Sequence, residues 1–131
     1  MTSKTEARTI LIVEDEPNIM KFASKVLELE GYQICQAWDA NEGLGLVKES
    51  HIDLVLLDLT LPGTDGWEVL RQLKDDPELS KIPVVVFTAA VELPNQERAS
   101  SMGAADFLMK PLSPATLRES IHSILHHENG V

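Results

Sequence analysis

Four short runs, three of them wholly apolar, each stop on a side chain with chemistry to offer, and this constrains the fold of the 131-residue chain more than any other feature. Ile10-Leu11-Ile12-Val13 opens onto Glu14-Asp15, and Leu54-Val55-Leu56-Leu57 stops at Asp58. Val84-Val85-Val86-Phe87 stops at Thr88, and a run over 105–109 stops at Lys110-Pro111. Short unbroken apolar runs rich in Val, Ile and Leu read as strands covered on both faces, the habit of a parallel sheet. Laid side by side, they bring Glu14, Asp15 and Asp58 to the carboxyl edge of one sheet, where open α/β folds place their ligands. Three carboxylates in one crevice repel each other, and a hard divalent cation with oxygen ligands relieves the repulsion. Thr88 and Lys110 add a hydroxyl and an ammonium, two donors suited to an added phosphoryl group.

Between these runs the apolar spacing changes to that of helices. Pro17 suits a first helical turn, Ile19, Phe22, Ala23, Val26 and Leu27 recur at helical spacing, and Gly31 marks a stop. A short strand is expected over 32–37. Asp39 with Glu42 forms a capping box for a helix burying Ala40, Gly43, Leu44 and Val47, and Asp65 with Glu68 repeats it for Val69, Leu70 and Leu73. Residues 62–66, Pro-Gly-Thr-Asp-Gly, read as a turn, and Pro77 and Pro83 bracket a loop. A short polar helix is expected over 94–102, stopped by Gly103. A last helix opens at Ser113-Pro114, carries Leu117, Ile121, Ile124 and Leu125 as its stripe, and ends near His126. Five strands alternating with five helices predict a doubly wound parallel sheet of order 2-1-3-4-5.

Composition narrows the function classes. Apolar residues make up 44% of the chain and charged residues 24%, which excludes disorder. With 11 basic and 21 acidic residues, the net charge of −10 argues against a nucleic-acid footprint. No run approaches a membrane span and the first residues are too polar for a secretion signal, so a cytoplasmic location is expected. Cys35 is the only cysteine and is expected to be a small buried residue. The four histidines form no metal pattern; His122 and His126 are i,i+4 neighbours by chance. Trp38 and Trp67 are expected to pack, and Asp39, Asp53 and Asp65 to be caps or solvated charges.

The segments Ile-Leu-Ile-Val-Glu-Asp-Glu-Pro at 10–17, Leu-Leu-Asp-Leu-Thr-Leu-Pro-Gly at 56–63, Phe-Thr-Ala-Ala at 87–90 and Phe-Leu-Met-Lys-Pro at 107–111 stand in order, each at a strand end. Together they resemble the receiver domain of two-component response regulators, over about 8–128 of a chain that forms one domain, 1–131. The resemblance implies a flavodoxin-like receiver fold and a phosphorylation-dependent switch. It implies Asp58 as phosphoacceptor, Lys110 as the partner of the phosphoryl oxygens, Thr88 as the switch hydroxyl and Phe107 as the aromatic that reorients with it. Mg²⁺ would be held by Glu14, Asp15, Asp58 and the backbone carbonyl of Thr60. Glu14 is one methylene longer than aspartate, which predicts a water-mediated contact to the ion. The implied partners are a histidine kinase or histidine phosphotransfer protein and an unknown downstream protein, with no nucleic acid or membrane, in a monomer or weak dimer.

Such a protein is not an enzyme beyond its own phosphorylation and dephosphorylation. An aspartate-nucleophile phosphatase is the alternative, but Asp58-Leu59-Thr60 has no second acid two residues on to protonate a leaving alkoxide. A receiver cut from a larger regulator is the other alternative; the short polar ends favour a complete protein. Thr60 and Ala90 flank the site without a side chain suited to orienting an attacking water.

Overall fold

The computed structural model describes residues 7–61, 66–89 and 93–130. Five strands, β1 (Thr9–Val13), β2 (Gln33–Ala37), β3 (Leu54–Asp58), β4 (Val84–Thr88) and β5 (Asp106–Met109), form one parallel sheet in the order β2-β1-β3-β4-β5. Five helices connect and flank them: α1 (Pro17–Leu29), α2 (Ala40–Glu49), α3 (Gly66–Asp75), α4 (Leu93–Ser101) and α5 (Pro114–Gly130). Every residue of β3 and β4 is buried, as the unbroken apolar runs predict for central strands.

Alternate residues of each strand feed different cores. Leu11, Val13, Val55, Leu57, Val84 and Val86 meet helices α2 and α3, while Ile10, Ile12, Leu54, Leu56, Val85 and Phe87 meet α1 and α5. Close approach matters at Gly43 of α2, where a Cβ would lie 2.9 Å from Val13 Cγ2. Helix α1 starts with Pro17 at its first turn, and the Glu16 side chain accepts from the Ile19 N–H. Gly31 ends α1 and Gly103 follows α4, both at positive φ, 97° and 100°.

Several local expectations need correction. Helix α5 runs through Gly130 instead of ending near His126, because no proline or glycine interrupts it before that point. A 3₁₀ turn, Leu79–Lys81, occupies the loop between Pro77 and Pro83. The Asp39 cap is present, but Glu42 Oε1 accepts from the Trp38 N–H, one residue earlier than in a strict capping box. Asp53 caps nothing: its Oδ2 accepts from the Thr9 N–H at 2.8 Å and pins the start of β1. Cys35 is half-buried because β2 is an edge strand, and Trp38 is 40% exposed beyond its end. His122 and His126 stack with ring centroids 4.1 Å apart. The Asp65 cap, the turn over 62–65 and Ala90 lie outside the described residues. No described helix is long and apolar enough to cross a membrane.

Candidate functional site

The sheet ladders continue one residue past the strands at the carboxyl edge, and those extra rungs place the site. Glu14 N–H donates to Ala37 O at 3.0 Å, Leu59 N–H to Phe87 O at 3.3 Å and Lys110 N–H to Thr88 O at 3.0 Å. The backbones carrying Glu14, Asp58 and Lys110 are therefore held by the sheet itself and not by loops. Carboxylate oxygens of Glu14, Asp15 and Asp58 lie within 4.8 Å of one another. Glu14 and Asp58 are buried, at 0% and 1% exposure, whereas Asp15 faces solvent.

Lys110 joins the two buried acids. Its Nζ lies 2.9 Å from Asp58 Oδ2 and 3.0 Å from Glu14 Oε1, over the ring of Phe87. The first contact is a hydrogen bond; the second has ion-pair distance without hydrogen-bond geometry, so Glu14 Oε1 remains an unsatisfied buried acceptor. The other oxygen, Glu14 Oε2, accepts from the Glu16 N–H at 2.9 Å. Asp58 Oδ1 accepts from both the Thr60 N–H and the Thr60 hydroxyl, each at 2.9 Å.

Two carboxylates facing one ammonium carry excess negative charge in a dry place. Burial pushes the Glu14 carboxyl up to about 7, against the opposing pull of the Glu16 N–H and Lys110, with Asp58 adding repulsion. Burial would lower the Lys110 ammonium, yet Asp58 and Glu14 outweigh it and hold Lys110 above its ordinary value. Orphaned Glu14 Oε1 and the all-oxygen donor set of Glu14, Asp15 and Asp58 fit a hard divalent cation. Thr88 is fully buried at the end of β4, one residue beyond the register partner of Asp58, and Phe107 is half-buried on β5 against the α2/α3 core.

The family model of the response regulator receiver domain matches residues 10–122, nearly the whole of the folded sheet and its helices. The chain belongs to this family. Among curated receivers it is 35% identical to Protein PilH of Pseudomonas aeruginosa, over 88% of this chain and 96% of that protein. It is 37% identical to the polar-differentiation response regulator DivK of Brucella ovis, over 90% and 96%. Against the phosphate regulon transcriptional regulatory protein PhoB of Pseudomonas aeruginosa it is 36% identical, spanning 52% of that longer protein. Among solved structures, a CheY-like receiver domain protein from Methanospirillum hungatei JF-1 superposes with a TM-score of 0.87 at 30% identity, covering 95% of this chain and 98% of that one.

The receiver fold thus brings Glu14, Asp15, Asp58 and Lys110 together as the strand ends predict. Two contributors escaped the sequence. The Glu16 N–H orients Glu14, and backbone donors carry no residue signature. Gly66 lets α3 abut the site: a Cβ there would lie 2.5 Å from Leu59 Cα and closer still to Asp58 O, while its N–H donates to Leu59 O. The only sequence sign of this is a glycine at the start of a helix, where it also reads as part of a turn.

Proposed function

We propose that this receiver is a phosphorylation-dependent signalling switch in which Asp58 accepts a phosphoryl group from a histidine kinase or histidine phosphotransfer protein. The supporting observation is Lys110 Nζ, hydrogen-bonded to the buried Asp58 carboxylate and fixed by a neighbouring acid. Phosphoryl transfer asks for placement and for neutralisation of the equatorial oxygens. Lys110 stays protonated beside Asp58 and follows the charge onto the phosphoryl oxygens. The Thr60 N–H and hydroxyl hold Asp58 Oδ1 and leave the carboxylate in one orientation. Mg²⁺, held by Glu14, Asp15, Asp58 and the Thr60 carbonyl, would supply further neutralisation of that charge. The Thr88 hydroxyl then hydrogen-bonds an added oxygen, and Phe107 fills the space its shift frees.

A protein donor suits the surroundings. A hollow of about 440 Å³ lined by Asn18, Ile19, Phe22, Ala89, Pro111 and Leu112 reaches Lys110, so a mostly apolar surface lies beside the site. The chain catalyses its own phosphorylation and dephosphorylation and turns over no other substrate.

Incubation with acetyl phosphate and Mg²⁺, followed by intact mass analysis, tests the assignment. Wild type should gain one phosphoryl group, and Asp58→Ala or excess EDTA should abolish the gain. Equal labelling of Asp58→Ala would sink it.

A further inference from the structure

Asp58 and Thr88 each lead out of the sheet into a helix, and among the described residues a cation–π contact bridges those helices. After Asp58 the chain enters α3 at Gly66, whose missing Cβ lets it sit hard against the Asp58 and Leu59 backbone. Trp67, the next residue, packs against the core beneath and is therefore fixed relative to the phosphoacceptor. After Thr88 the chain enters α4, the least anchored helix: among its described side chains only Ala99 is buried. Helices α3 and α4 otherwise touch sparsely. Across that gap the Arg98 guanidinium lies over the Trp67 ring, 4.1 Å from its centroid.

We propose that Arg98 is a positioning residue whose stack on Trp67 holds α4 in the unphosphorylated arrangement and so restrains phosphorylation. The inference rests on Asp58 being the phosphoacceptor. An oxygen added at Asp58 draws the Thr88 hydroxyl toward it, and α4, which follows Thr88 in the chain, is displaced with it. Trp67 cannot follow, because Gly66 and the core hold it in place. The stack must therefore stretch or break, and its loss opposes the shift. A ligand can move a two-state element only by the difference in its interaction with the two states, so a contact present in one state shifts the balance by its own worth. For an exposed cation–π pair that amounts to about two- to fivefold in the equilibrium.

Beryllofluoride with Mg²⁺ serves as the phosphoryl mimic, and its apparent affinity is measured for wild type, Arg98→Met and Arg98→Lys. Arg98 is exposed, so neither substitution threatens the fold. Arg98→Met keeps the apolar stem and loses the cation; it should bind about two- to fivefold more tightly, with Arg98→Lys returned toward wild type. In wild type the Arg98 side-chain resonances should carry the ring-current shift of Trp67 and lose it on adding beryllofluoride. A structural role alone would leave that signal unmoved. Wild-type binding that Arg98→Met leaves unchanged or weakens overturns the restraint alone, as does a ring-current shift that persists in the complex. Absence of any beryllofluoride binding by wild type overturns the phosphoacceptor assignment and the restraint with it.

Discussion

Glu14 occupies the most constrained position at the site, fully buried between the Glu16 N–H and Lys110, with a carboxyl pushed up to about 7. A folded-state value raised above the ordinary 4.5 means that the native protein binds the proton more tightly than the unfolded chain. Its contribution to stability is complete below pH 4.5 and is lost as pH rises through about 7, by on the order of 3 kcal/mol. In EDTA the melting temperature should therefore fall across this window. Glu14→Gln should flatten the fall and melt higher than wild type at pH 8; an unchanged pH profile in the variant would refute the cause. Asp15, exposed and less committed, should matter more for cation binding. Asp15→Asn should weaken Mg²⁺ binding, followed by Trp67 fluorescence, more than Glu14→Gln does. The reverse ranking would place Glu14 directly on the ion.

At the scale of elements, the start of α3 is fitted to the site by one absent methyl group. Gly66→Ala should cost about 1–3 kcal/mol in urea unfolding, since the clash is with backbone and cannot be relieved by a rotamer. It should also slow acetyl phosphate labelling by displacing Asp58; a variant as stable and as quickly labelled as wild type would show that the loop yields. Elements that move should be those least tied down, and α4 buries little while β5 is an edge strand. Amide shifts on adding beryllofluoride should cluster in α4, β5 and the residues to Leu112. Changes confined to α1 and α2 would place the output elsewhere. Phe107 carries no hydroxyl, so under the proposed switch its coupling to Thr88 would operate through packing.

Across the whole molecule, one sheet serves two cores, so neither face is independent of the other. Leu56 and Leu57 are adjacent, fully buried and point to opposite faces. Leu56→Ala and Leu57→Ala should each cost about 2–5 kcal/mol. Each should unfold in a single transition whether followed by far-ultraviolet circular dichroism or by tryptophan fluorescence. Separate midpoints would mean that the faces melt as separate units.

A parallel sheet buried on both faces was legible because the apolar runs over 10–13, 54–57 and 84–87 need cover on both sides, and its order because strands alternate with helices in right-handed crossovers. The acids and the ammonium were legible as a set because each stands at or just past the end of a strand, and a parallel sheet aligns those ends. The roles of Asp53, Gly66 and Arg98 were not legible. Asp53 bonds Thr9 across 44 residues of chain, and Gly66 is dictated by a backbone that no residue pattern displays. The Arg98–Trp67 stack joins helices from two crossovers. Periodicity and capping are local, so they determine which elements form and where their ends fall. Which donor satisfies which acceptor and how burial raises the Glu14 carboxyl depend on distances across the chain, and only the tertiary structure decides those.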